Sequence, residues 1–286
     1  MKILTPAKIT PLLYILRKRN DGFHELFMNM VPVSLFDTLK FSHNNEDELN
    51  FRINGATFYG DLEDNLVVKA INLFQRVTGK KANFDVFLDK HIPSGAGLGG
   101  GSSNAAGTLR ALNYIFRETP ESEGLLSSKM LFEIALELGS DVPFFLNPSP
   151  CEILGRGERI FPLKEYPKFF VIIIKPTLSI STSLAYKKCK PKEYITFPKV
   201  RTFYDLKHHM KNQFEITLLP DYPVLSKMKT LLLENGAFGA LVSGSGSAVF
   251  GVFKEKEMQN QALKNLSCLH IGKIYSCETL AEHYYY

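Results

Sequence analysis

The sequence predicts a mixed fold of strands and helices, in a chain whose 286 residues suit one large or two ordinary domains. Three observations predict it. Residues 1–41 are short apolar runs broken by turn residues, the pattern of a β-rich opening with hairpins. Ser102–Phe116 and Ser128–Leu138 carry apolar side chains three and four residues apart, the period of an amphipathic helix. Ahead of the first of these helices runs Pro93-Ser94-Gly95-Ala96-Gly97-Leu98-Gly99-Gly100-Gly101-Ser102-Ser103-Asn104-Ala105-Ala106. Its five glycines in seven residues add nothing to packing and are costly to order, so they serve a close backbone approach to something else.

Taken in order, Lys2–Leu4 and Leu12–Leu16 read as two short strands joined through Thr5-Pro6-Ala7-Lys8-Ile9-Thr10-Pro11, and Asn20-Asp21-Gly22 as a turn. Phe23-His24-Glu25-Leu26, Met28–Leu35 and Asp37-Thr38-Leu39-Lys40-Phe41 continue this opening. By themselves, Lys8 reads as a solvated lysine and His24 as a turn histidine. Glu63–Ala70 starts a helix with Leu66, Ala70, Leu73 and Phe74 on one stripe and Gly79 at its end. Phe84–Lys90 is a strand that feeds the glycine loop through His91-Ile92-Pro93. The helix after the loop puts Ala105, Ala106, Leu109, Leu112, Ile115 and Phe116 on one face, with Ser102 or Ser103 as its cap. Arg117–Ser128 is a polar loop. Ser128–Leu138 is the next helix, ending at Gly139 before Asp141-Val142-Pro143-Phe144-Phe145-Leu146. Phe169–Ile174 reads as a buried strand, and Lys175–Thr182 leads into a helix bearing Tyr186. Residues 187–223 are basic and punctuated by proline. Ala240–Phe253 is strand, glycine turn, strand; Met258–Leu266 is the last helix, and the Tyr284-Tyr285-Tyr286 tail carries no inference.

Hydrophobic residues make up 45% of the chain and charged residues 22%, the balance of a soluble globular protein. No apolar run has the length of a membrane span, and Met1–Thr10 lacks the character of a signal or transit peptide, so a cytoplasmic location is expected. Cys151, Cys189, Cys268 and Cys277 show no CxxC spacing; neither a zinc site nor a disulfide framework is expected of them. The net charge of +5 comes without a long basic run, Arg17-Lys18-Arg19 being the densest cluster. Nucleic-acid binding therefore has no support, whereas an anionic small substrate fits.

A glycine loop feeding a helix start presents unpaired N–H groups and the positive end of the helix dipole, which together favour a phosphate. The P-loop is excluded, because Ser102 stands where its lysine would be. Gly95, Gly97 and Gly100 do satisfy GxGxxG. A dinucleotide unit, however, wants its glycines straight off a strand and an acid at the end of the next one; here Pro93 interrupts the entry and Arg117–Ser128 contains no strand. Asp141 stands against a hydrophobic run, where a carboxylate needs a partner or a purpose.

Pro93–Ala106 resembles the phosphate loop of the GHMP small-molecule kinases. Pro6-Ala7-Lys8-Ile9 followed by Asp21-Gly22-Phe23-His24-Glu25-Leu26 resembles the opening of the branch of that family that reads a cytidine substrate. Asp141-Val142-Pro143-Phe144-Phe145, Gly155-Arg156-Gly157-Glu158, Asn212-Gln213-Phe214-Glu215 and Ala240–Phe253 resemble further family segments, in the family's order. The resemblance implies an α+β, two-domain GHMP kinase fold: a ribosomal protein S5 domain 2-like N-terminal domain over residues 1–160, a ferredoxin-like C-terminal domain over 161–286, and the active site in the cleft between them. It implies ATP as co-substrate with Mg²⁺ and no dedicated protein metal cage. The acceptor it implies is the C2 hydroxyl of a cytidine diphosphate methylerythritol, a step of non-mevalonate isoprenoid biosynthesis. Carried over residue by residue, it gives Lys8 and Asp141 to catalysis. It gives Asn65, Leu66, Lys90, Pro93, Gly95, Ala96, Gly97, Leu98, Gly99, Gly100, Gly101, Ser102, Ser103 and Asn104 to ATP. Thr10, Phe23, His24, Thr182, Tyr186, Gly244 and Ser245 go to the second substrate, with Phe23 and Tyr186 on either side of the cytosine. There is one departure: the family follows its lysine with an aliphatic residue and then Asn, whereas this chain has Ile9-Thr10-Pro11. The rival readings are a mevalonate- or homoserine-type kinase and a non-catalytic nucleotide-binding module on the same fold.

Overall fold

A computed structural model describes residues 1–44, 48–55, 61–81, 83–117, 126–191 and 197–280. Most of the expected polar loop at 117–128, and the tyrosine tail, lie outside the described residues. In chain order the first half contains β1 (Lys2–Lys18), β2 (His24–His43), β3 (Asn50–Gly55), α1 (Leu66–Thr78), β4 (Phe84–Lys90), α2 (Gly100–Arg117), α3 (Ser128–Leu138), α4 (Val142–Leu146), β5 (Cys151–Gly155) and β6 (Arg159–Pro162). The second contains β7 (Phe170–Lys175), α5 (Thr182–Lys188), α6 (Phe203–His209), β8 (Lys211–Asn212), α7 (Glu215–Asp221), α8 (Pro223–Glu234), β9 (Gly239–Val242), β10 (Val249–Phe253), α9 (Lys256–Ser267) and β11 (Lys273–Glu278).

The opening corrects the sequence reading. Instead of two short strands and a connection, Lys2–Lys18 is one strand, and the three pieces after the turn are one strand of 20 residues. The prolines do not break the first strand, because its pairing with β2 shifts register between Pro6 and Ala7 and between Ile9 and Leu12. At such irregularities the ladder does not need the N–H that proline lacks. Nor do the apolar residues alternate: every residue from Thr5 to Leu13 is buried, since both faces of this strand are covered.

A seven-stranded sheet runs β3-β4-β2-β1-β8, with β5 also pairing β2 and β6 pairing β5. Helices α1 to α4 pack on one face, where Ile71, Phe74, Leu109 and Leu112 meet Ile15, Met28 and Met30. On the other face Ile9, Phe27, Val31 and Val33 meet Val171, Ile173, Phe250 and Val252 of a four-stranded antiparallel sheet ordered β11-β7-β10-β9. Alternate residues of that second sheet, Ile172, Ile174 and Phe253, share the outer core with Leu225, Met228 and Leu232 of α8 and with Ala262 and Leu266 of α9. The order is therefore helices, sheet, sheet, helices.

The strand entering the glycine loop, the helix ending at Gly79 and the Ser128–Leu138 helix stand where the sequence puts them. The helix after the loop starts at Gly100, so Ser102 and Ser103 lie inside its first turn instead of capping it, and the Ser103 amide already bonds to Gly99 O at 2.9 Å. Among the described residues, no helix is long and apolar enough to cross a membrane.

Candidate active site

Lys8 sits in the middle of β1 with its side chain only 6% exposed, a position that demands a partner for its charge. Its Nζ lies 3.7 Å from Asp141 Oδ2 and donates to Thr10 Oγ1 at 3.2 Å. Asp141 precedes α4, makes no side-chain cap to it, and keeps a third of its side chain open to solvent. One buried cation and one partly open carboxylate thus face each other, brought from residues 8 and 141 by the packing of α4 against α2 and α3.

The glycine loop is fastened over this pair. The Lys8 amide donates to Leu98 O at 2.9 Å, and a Cβ on Gly99 would stand 2.7 Å from the Phe145 ring and 3.1 Å from Lys8 Cγ. Across the cleft, the turn between β9 and β10 closes on the loop's carbonyls: Ser243 Oγ donates to Gly97 O at 3.0 Å and the Ala248 amide to Ala96 O at 3.1 Å. Gly97, at φ +73°, comes so close that a Cβ there would lie 1.9 Å from Ser243 O. Glycine is needed at that position on both counts. With these carbonyls spent, the head of α2 offers amides that its own helix cannot accept from. Ser103 Oγ is buried there without a partner among the described residues, and Leu66 packs beside Gly101.

Three residues expected on ATP are engaged elsewhere. Asn65 Oδ1 caps α1 through the Val67 amide at 2.9 Å. Lys90 and Asn104 do not face an open loop: Lys90 Nζ pairs with Asp37 at 2.5 Å, and Asn104 Nδ2 donates to Asp37 at 3.0 Å and to Thr5 Oγ1 at 2.8 Å. Burial pulls the Lys90 ammonium below the usual lysine range, and the Asp37 carboxylate opposes that. Both residue types suit a nucleotide contact, but strand β2 places an acid beneath the loop that claims them first.

At the other end of the site, Tyr186 on α5 and His24 at the start of β2 stack on one another, with ring centroids 5.0 Å apart and planes 23° apart. Burial, then the negative charge of Asp141, raises the Tyr186 phenol above its ordinary pKa. Phe23 lies outside this pair, nearly half exposed, with the Arg156 guanidinium 4.6 Å above its ring. Tyr186 therefore meets His24, while Phe23 stands apart from that pair. Thr182 Oγ1 and Ser245 Oγ lie 2.9 Å apart, and a Cβ on Gly244 would be 3.4 Å from Lys8 Nζ, so this turn borders the lysine. Thr10 is fully buried, and its hydroxyl accepts a hydrogen bond from Lys8 Nζ.

Sequence reasoning missed Asp37, Ser243 and Asn212. Asn212 Nδ2 donates to Val242 O and Gly244 O at 2.8 and 2.7 Å, holding the glycine turn in place. Its place in the Asn-Gln-Phe-Glu segment was visible; its partners, 30 and 32 residues away, were not. The four cysteines are free thiols, and among the described residues there is no cluster of three or more His, Cys, Asp or Glu that could hold a metal ion.

Comparison with known proteins places the chain in a family. The family model for the GHMP kinases N terminal domain matches residues 65–148, and that for the GHMP kinases C terminal matches residues 200–270. The chain is 39% identical over 271 residues to a 4-diphosphocytidyl-2-C-methyl-D-erythritol kinase of Thermodesulfovibrio yellowstonii, covering 90% of this chain and 91% of that one. It is 38% identical to the protein of the same name from Syntrophus aciditrophicus, covering 92% and 93%. A crystal structure of 4-(cytidine 5'-diphospho)-2C-methyl-D-erythritol kinase superposes with a TM-score of 0.83 at 32% identity, covering 98% of this chain and 99% of that one. The chain belongs to the GHMP kinases, with their two-domain α+β fold, and within them to the 4-diphosphocytidyl-2-C-methyl-D-erythritol kinase family.

Proposed function

We infer that this chain is an ATP-dependent kinase that phosphorylates the C2 hydroxyl of 4-diphosphocytidyl-2-C-methyl-D-erythritol, a step of non-mevalonate isoprenoid precursor synthesis. The observation that carries it is the Lys8–Asp141 pair, 3.7 Å apart beneath a glycine loop at a helix start. Phosphoryl transfer asks mainly for positioning and charge neutralisation. Asp141 accepts the proton of the attacking hydroxyl. Lys8 pairs with that carboxylate and offers positive charge to the phosphoryl group in flight. The amides at Gly99–Ser102 receive the phosphates, Leu66 walls the nucleotide side, and His24, Tyr186, Thr182, Gly244 and Ser245 receive the cytidine substrate. Ser102 and Ser103 would hold Mg²⁺, the orphaned Ser103 hydroxyl being a hard oxygen ligand, with phosphate and water as the other ligand types such an ion favours. When bound, the ion would neutralise phosphate charge. We take residues 1–160 as the ATP-binding half and 161–286 as its partner, a division supported by the change of sheet between β6 and β7.

The test is ADP release from ATP with the cytidine substrate, mevalonate or homoserine, for the wild type and Asp141→Asn. Turnover of the cytidine substrate alone is expected, with kcat about 10²–10⁴-fold lower in the variant, the usual contribution of general-base catalysis. A wild type that binds ATP and turns over none of them would leave the nucleotide-binding module standing.

A further inference from the structure

Asp37 is a fully buried, heavily bonded side chain that the reaction does not use. It lies on β2, and its two oxygens receive four donors. Oδ1 accepts the His91 and Ile92 amides, each at 2.7 Å. Oδ2 accepts Lys90 Nζ at 2.5 Å and Asn104 Nδ2 at 3.0 Å. Those donors come from the two sides of the glycine loop: His91 and Ile92 lead into it, and Asn104 sits one turn into the helix that leaves it. A further bond from Lys90 Nζ to Ile92 O at 3.0 Å, and the 2.8 Å that would separate Nζ from a Cβ on Gly100, put the ammonium directly under the helix start.

We propose that Asp37 is the positioning residue of the nucleotide loop: a single buried carboxylate that pins both of its ends and so fixes the amides that meet the phosphates. The proposal rests on the kinase reading above and names a residue that reading does not use. Physically, a loop of five glycines has a large conformational entropy, and an anion bound by its amides must otherwise order it at the moment of binding. Pinning residues 91, 92 and 104 to one point removes that cost beforehand. Lys90 supplies the counter-charge that makes the buried carboxylate tolerable.

The experiment measures direct binding of a non-hydrolysable ATP analogue and of the cytidine substrate by calorimetry, together with the melting temperature. The proteins compared are the wild type, Asp37→Asn, and the double variant Asp37→Asn with Lys90→Met. The double variant leaves no unpaired buried ammonium and keeps the test open should the single variant fail to fold. In folded variants the analogue is expected to bind at least about tenfold more weakly, the scale of a small misplacement of binding groups. The cytidine substrate should hold its affinity within about twofold, as expected for a site without shared contacts. Unchanged analogue affinity in a folded variant overturns the proposal and leaves the kinase reading intact. Equal weakening of both ligands also overturns it, since that is the mark of a merely structural residue. A wild type that binds no analogue overturns both.

Discussion

Lys8 owes its direction to two oxygen-bearing neighbours, Thr10 and Asp141. The threonine hydroxyl accepts a hydrogen bond from the ammonium. Thr10→Val would leave that donor facing a methyl group. We expect kcat to fall about tenfold, the cost of about 1–2 kcal/mol for a lost hydrogen bond to a charged group, with recovery in Thr10→Ser. Steady-state kinetics on the three proteins checks it. His24 gives a pH prediction. Burial, and then the positive charge of Lys18, hold its imidazole below the usual 6.5. A depressed histidine binds fewer protons folded than unfolded, so its contribution to stability is complete above pH 6.5 and is lost as the pH falls through that value and below. The melting temperature of the wild type should drop over that window relative to His24→Gln, and the two curves should run parallel at higher pH. At this scale Lys8, Asp141 and His24 were legible, because each stands in a motif with fixed spacing. Asp37 was not: a lone acid inside a strand looks the same whether it faces water or four donors.

The helix that follows the glycine loop shows what an element can and cannot announce. Its apolar stripe was plain from the spacing of Ala105, Leu109 and Leu112, but its start was misplaced by two residues, since serines resemble caps and Gly100 does not resemble a helix former. The helix can begin on glycine because strand, loop and the opposite turn fix the backbone around it. Gly97→Ala tests this directly. A side chain at φ +73° costs about 1–2 kcal/mol by itself, and the contact with Ser243 O adds a clash. Loss of nucleotide-analogue binding together with a lower melting temperature is expected; a variant with both unchanged would mean that the loop and turn do not meet in solution. The long first strand failed as a sequence prediction for the opposite reason. Pro6 and Pro11 read as breakers, and only the register shifts with β2 absorb them.

Across the whole molecule, the two halves are joined by the segment Asn212–Glu215. The backbone of β8 adds to the first sheet beside Leu12 and Leu13, Gln213 Oε1 accepts the Ile15 amide at 2.8 Å, and Glu215 Oε1 accepts the Val242 amide at 2.7 Å. Through Asn212 this one segment holds the glycine turn that faces Lys8. Asn212→Ala would strand buried carbonyls at Val242 and Gly244, each worth about 1–3 kcal/mol. Destabilisation by chemical denaturation, with kcat reduced more than nucleotide affinity, is the expected result.

The sequence by itself determined the glycine loop, the family, the helices α1, α2, α3, α5 and α9 and the identities of the facing lysine and aspartate, because periodicity and motif spacing are local properties that survive without coordinates. Only the tertiary structure decided that Lys90 and Asn104 serve Asp37, that His24 lies on Tyr186, and that a turn from the second sheet closes over the loop. Those outcomes depend on which of several chemically suitable partners arrives within hydrogen-bond distance, and packing across four layers chooses that partner.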